Sequence, residues 1–134
     1  MNRIPAPADV ARELNIAAGA EIVRVRRLRR SRGEPLALLT NHLPGNFRPT
    51  VADLTKGGLY NYLRAQGVHL RLAHQHIGAR LAHDEEAQVL DEAPRSVLLT
   101  MRRTAFDDQG TAVECGQQIY RASRYAFETT LVCR

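Results

Sequence analysis

A single, mostly antiparallel α+β domain is predicted from three observations. Long runs rich in β-formers are joined in pairs by short turns, as in Glu21–Arg30 with Pro35–Leu43 and Val97–Phe106 with the run after Gly110. Short stretches with helical spacing fall between these pairs. The 134 residues, 44% of them hydrophobic, are enough for one globular core and too few for two.

Taken in order, Pro7–Asn15 reads as a short helix. Pro7 suits a first turn, Asp9 is a favourable charge there, and Val10 and Leu14 are four apart. Glu21–Arg30 reads as a strand, Ser31–Glu34 as a tight turn, and Pro35–Leu43 as the returning strand. Pro44–Pro49 is a loop by composition. Val51–Gly58 looks irregular or briefly helical, and Leu59–Gln66 is a helix stopped by Gly67. Val68–Ala82 is a long strand with Ala73, Gln75, Ile77, Ala79 and Leu81 on one face. His83 or Asp84 opens a helix with Glu85 and Glu86 in its first turn, ending near Leu90–Pro94.

Val97–Phe106, the turn Asp107–Gly110, and the stretch Thr111–Phe127 then form a hairpin, and Phe127–Cys133 is a last strand. The order is α-β-β-α-β-α-β-β-β. The chain is organised around Val113–Arg121. Alternation sends Glu114, Gly116, Gln118 and Tyr120 to one face and Val113, Cys115, Gln117 and Ile119 to the other. A carboxylate, a gap, an amide and a phenol suit the floor of a polar ligand site better than a packed core.

No apolar run reaches the roughly 18 residues of a membrane helix, and Met1–Pro5 lacks the apolar core of a signal peptide. A soluble, cytoplasmic protein with no membrane partner is expected. The formal charge of +5 is local: Arg24, Arg26, Arg27, Arg29, Arg30 and Arg32 exceed it. Because this run lies on a strand rather than a helix or tail, direct DNA binding is a weak reading. Cys115 and Cys133 have no metal-ligand spacing and are expected to be reduced and buried.

In this order the residues resemble the UTRA (UbiC transcription regulator-associated) domain, the effector-sensing half of GntR regulators of the HutC subfamily. The matching pieces are Ala8–Leu14 with Gly19; Arg27-Leu28-Arg29 before Gly33–Leu38; Leu43-Pro44; and Gly58-Leu59-Tyr60. Further along come Glu85-Glu86-Ala87 with Leu90; Arg102-Arg103 with Phe106-Asp107 and Gly110; and Val113-Glu114 followed by Tyr120-Arg121 and Arg124-Tyr125.

The resemblance implies a chorismate lyase-like fold, a six-stranded antiparallel sheet with flanking helices. It also implies a homodimeric small-molecule receptor without a cofactor. Family members carry a winged helix-turn-helix on the N-terminal side. It is not within these 134 residues, so residues 1–134 are expected to be the sensor part of a longer protein, with DNA reached only through the other domain. Loops at the mouth, Pro44–Pro49 and the segment before Leu59, are expected to move.

Carried onto this chain, the resemblance makes Arg27 and Arg29 ligand-binding. They are two apart on one strand face, and their donor forks suit phosphate or carboxylate. Solvated surface arginines would show the same spacing. Glu114 matches a pocket glutamate, or pairs with one of those arginines. Tyr120 matches a pocket tyrosine, or is an ordinary core residue.

Three positions depart from the family: Leu39 where a glutamate is frequent, Gly58 where a serine is frequent, and Gly116 where a larger residue occurs. With Gln118 they complete the candidate site. The changes remove polar groups, so a carboxylated metabolite is as suitable an effector as a sugar phosphate. The competing class is a chorismate lyase-like enzyme acting on a small carboxylate, but no nucleophile–base pair or phosphate loop stands out. His74 and His76 share a strand face, with His42 or His69 as possible third ligands. An exposed polar strand face is the better account of the pair, and no metal is assigned.

Overall fold

The computed structural model describes residues 1–133. The described elements are β1 (Asn2–Pro5), α1 (Ala8–Leu14), β2 (Glu21–Ser31), β3 (Glu34–Pro44), α2 (Val51–Ala65), β4 (Leu70–Leu81), α3 (Asp84–Val89), β5 (Val97–Asp107) and β6 (Ala112–Arg121). The strands form one six-stranded sheet in the order β1-β2-β3-β6-β5-β4, and every adjacent pair is antiparallel. The predicted α+β sheet with flanking helices is therefore the observed fold.

The register defines two faces. On one, Ile22, Cys115 and Ala112 pack against α1, while Leu28, Leu38, Leu98 and Ile119 pack against Ala87 and Leu90 at α3. On the other, Val23, Val25 and Leu43 pack against Leu59, Tyr62 and Leu63 of α2. Helix α2 lies there because the β3–β4 connection runs from the middle of the sheet to its far edge.

Two sequence expectations are corrected and one open reading is decided. No strand forms over Phe127–Cys133 among the described residues; Tyr125 and Phe127 instead fold back on Tyr120. The sixth strand is β1, four residues long with Pro5 at its end, tolerable because β1 is an edge. Arg3 anchors it, bonding Glu21 at 2.8 Å and the carbonyls of Gly45 and Phe47.

Second, of the two readings of Val51–Gly58, irregular or briefly helical, the helical one holds as far as Gly57. Thr50 accepts from the Asp53 N–H while the Asp53 carboxylate accepts from the Thr50 N–H, a reciprocal cap. Gly58, at φ 79°, then kinks the helix. Third, the cysteines are both free, but only Cys115 is buried; Cys133 is exposed.

Candidate functional site

The α2 face of the sheet carries the candidate residues. Arg27 is in register with Leu39, Leu39 with Gln118, and Gln118 with Met101, making one row across four strands. Arg29, Ala37 and Tyr120 form the next row on one side. On the other side Val25, Asn41, Gly116 and Arg103 form a row, followed by Glu114 opposite Ala105. Because residues in register share a face, Arg27, Arg29, Leu39, Glu114, Gly116, Gln118 and Tyr120 all lie on one side of the sheet. Gly58 lies above that side, at the kink of α2.

Two elements flank this face like the walls of a trough. One wall is α2, where Tyr60 leans over Glu114. The other is the C-terminal segment, where Tyr125 stacks on Tyr120 with centroids 4.2 Å apart and Phe127 meets Tyr120 edge-on. Arg27 and Arg29 are exposed, while Leu39 and Gln118 are partly buried between the walls.

Glu114 is 1% exposed, the most deeply buried charged side chain of the described residues. It pairs with neither Arg27 nor Arg29: four residues of β6 separate it from the row of Arg27, roughly 13 Å along the strand, and the row of Arg29 lies further still. Instead Asn41 Nδ2 donates to its Oε1 at 2.6 Å, and the Tyr60 hydroxyl donates to its Oε2 at 3.5 Å. Burial pushes its carboxyl pKa up, against the opposing pull of Asn41, Arg103 and Tyr60. Burial, together with the Glu114 charge, likewise raises Tyr60.

Gly116 is not empty space for a ligand. A Cβ there would lie 2.8 Å from Glu114 Oε1 and 3.0 Å from Asn41 Nδ2, so the glycine admits the Asn41–Glu114 contact. A Cβ at Gly58 would meet nothing within 4 Å, and this position does open onto free volume. Tyr120 donates from its hydroxyl to Gln118 Oε1 at 2.8 Å. Its ring packs with Ala37, Leu39 and Leu99, so it is core and wall together.

Asn41, Tyr60, Met101 and Arg103 also belong to this face and were not singled out as site residues from the sequence. Their signal was available: Asn41 is two residues from Leu39 on the same strand, and so shares its face. Val113 was missed as a bulge. Ala105 pairs with Glu114 but Phe106 with Ala112, leaving Val113 extra beside the buried carboxylate.

The opposite face carries His74, His76, Arg102, Thr104 and Cys115 around Glu13, which accepts from Thr104 at 2.8 Å. Among the described residues no three His, Cys, Asp or Glu side chains converge as a metal set. No described helix is long and apolar enough to cross a membrane.

The family model described as the UTRA domain matches residues 1–126. The chain belongs to the UTRA domain family. It is 31% identical over 133 residues to the HTH-type transcriptional regulator Rv0792c of Mycobacterium tuberculosis, covering 95% of this chain and 48% of that protein. It is 32% identical over 126 residues to the transcriptional regulator PhnF of Escherichia coli, covering 92% and 52%. The UTRA chain thus spans about half the length of the curated relatives it matches.

A Streptomyces coelicolor structure described as a transcriptional regulator superimposes with a TM-score of 0.93 at 46% identity, covering 99% of this chain and 89% of that one. The ligand-binding domain of a GntR-family regulator from Bordetella bronchiseptica superimposes with a TM-score of 0.87 at 28% identity, covering 98% and 86%. These relatives bear the names of transcriptional regulators rather than of enzymes, so they give the lyase reading no support.

Proposed function

We propose that residues 1–134 are the effector-sensing domain of a GntR-family, HutC-subfamily transcriptional regulator, and that its effector is a small anionic molecule bound in the trough between α2 and Tyr125. The observation that carries this reading is the common face of Arg27, Arg29, Leu39, Gln118 and Tyr120 under the Gly58 kink. Two guanidinium forks two residues apart offer paired donors to a phosphate or carboxylate. Leu39 and Met101 supply apolar floor between the arginines and the Asn41–Glu114 pair. Sugar phosphates and carboxylated metabolites both meet this chemistry.

Effector binding acts on DNA through a linked N-terminal winged helix-turn-helix in a cytoplasmic homodimer. A dimer reads two half-sites, so its DNA affinity depends on how the two sensors hold their readers. An effector that prefers one arrangement shifts the balance by its differential affinity, typically about 1–3 kcal/mol. The start of α2 up to the Gly58 kink and the Pro44–Pro49 segment that leads into it are the parts that respond, because they form the connection between β3 and the helix covering this face.

Calorimetry with a panel of sugar phosphates and carboxylates tests the reading. At least one compound is expected to bind, with a loss of about tenfold or more in R27Q and R29Q, in keeping with charged hydrogen bonds of about 1.5–3 kcal/mol. Binding that survives both substitutions unchanged would overturn it.

A further inference from the structure

Arg103 is a half-buried cation with one donor the protein leaves unmet. It lies in register with Gly116, in the row that contains Asn41, on the same face as Arg27 and Arg29. Its guanidinium sits over the Tyr60 ring, 5.2 Å from the centroid. Its Nε is shut off from solvent without an acceptor. Among the described residues no carboxylate lies within ion-pair distance of it; the described pairs engage other arginines. Glu114, the acid beside it, already accepts from Asn41 and Tyr60. The ring holds the guanidinium in place by its face and takes none of the N–H groups. A buried donor left orphaned on a half-buried cation is costly unless something supplies an acceptor.

We propose that Arg103 is a second anion seat, and that the effector carries two acidic groups, one held by Arg27 and Arg29 and the other by Arg103. This inference rests on the receptor reading above. The span fits. Arg27 and Met101 share a row, and Arg103 is two residues beyond Met101. Three strand spacings across and two residues along put the Arg27 and Arg103 backbones about 16 Å apart. At that backbone separation two long, flexible arginine side chains can both reach a metabolite-sized molecule lying on this face. The floor between them is Leu39, Gln118 and Met101, two apolar side chains and one amide, which suits a carbon chain between acid groups. The effector class is therefore a dicarboxylate or a phosphorylated carboxylate rather than a neutral sugar bearing one phosphate.

The test uses straight-chain dicarboxylates of four to eight carbons and phosphorylated carboxylates of similar length, each alongside its monomethyl ester, titrated calorimetrically into the 134-residue chain. One diacid is expected to bind at least tenfold more tightly than its monoester. R103Q is expected to reduce the diacid to the monoester's affinity while leaving the monoester unchanged; R27Q weakens both. R103K, which keeps the charge and loses the fork, retains part of the preference and guards against a folding defect in R103Q. If R103Q affects diacid and monoester alike, or neither, while R27Q still weakens them, the second seat is wrong and the receptor reading stands. If no probe binds, or binding ignores Arg27, both are overturned.

Discussion

Asn41 reaches Glu114 diagonally across the β3–β6 pair. Its register partner is Gly116, yet its amide passes over that glycine to donate to Glu114 Oε1 at 2.6 Å. The buried carboxylate thereby gains its shortest hydrogen bond from a strand neighbour rather than from an arginine.

Asn41→Ala is therefore expected to destabilise the fold by about 1–3 kcal/mol at neutral pH, the cost of leaving a buried acceptor unmet. The sign of its pH dependence follows from burial, which raises the Glu114 pKa above its unfolded value. A raised carboxyl binds a proton more readily in the folded state, so stability rises as pH falls from neutral toward the ordinary carboxylate range. Without Asn41 the carboxyl is raised further, and the deficit of the variant narrows over that interval. Urea denaturation at a series of pH values measures this, and a deficit that widens on acidification would contradict the assignment. In a Glu114→Gln background the Asn41 effect should shrink, because the charge it satisfies is gone.

Gly116→Ala is expected to cost about 1–3 kcal/mol through overpacking. The backbone is not the cause, since Gly116 is not among the positive-φ glycines. The added methyl meets Glu114 Oε1 at 2.8 Å and Asn41 Nδ2 at 3.0 Å. Combined with Asn41→Ala, the two losses should sum to less than their separate values, because one substitution removes part of what the other strikes. Strict additivity in a double-mutant cycle would mean the clash lies elsewhere.

The paired strands were legible because alternation and turn chemistry act locally. Arg27, Leu39, Gln118 and Tyr120 fall on one face by counting in twos within each strand. What the strands could not disclose was register, the relation between strands: Glu114 shares the face of Arg27 but sits two rows away, so the imagined ion pair cannot form. Helix α2 was half missed because Gly57-Gly58 masks it, although Thr50 and Asp53 spell its reciprocal cap. Strand β1 is too short to show a period, and its pairing depends on tertiary anchoring of Arg3. Phe127 had β-character but is held by edge-on contacts with two tyrosine rings, a long-range preference that local propensity does not contain.

Acid should weaken the α3 end of the sheet. Arg80 donates to both oxygens of Glu86 at 2.7 and 2.6 Å, and the His83 N–H adds a third bond at 2.9 Å. The Arg80 hydrogen bonds, despite partial burial, hold the Glu86 carboxyl down to about 2. A depressed carboxyl contributes stability above its unfolded value, and the contribution is lost as pH falls from about 4.5 to about 2. Because Arg80 keeps partial access to solvent, we expect about 1–2 kcal/mol rather than the full linkage value. Glu86→Gln should remove this part of the acid transition and leave stability below pH 2 little changed. A wild-type and variant difference that is constant over this range would refute the ion-pair origin.

The two thiols should separate kinetically. Cys115 is buried on the α1 face, and burial together with the charges of Glu114 and Glu13 pushes its pKa up to about 11. At pH 8 only about one molecule in a thousand then carries the reactive thiolate, and the reagent must also penetrate α1 packing. Cys133 is exposed, with no packing between its thiol and the reagent. A disulfide reagent at pH 8 should label one thiol rapidly in the native protein and the second only on unfolding, with Cys133→Ser abolishing the fast phase. Fast labelling of Cys115 would show that α1 opens readily over the β6 strand that carries Glu114, and that the floor of the trough is far less rigid than its packing implies.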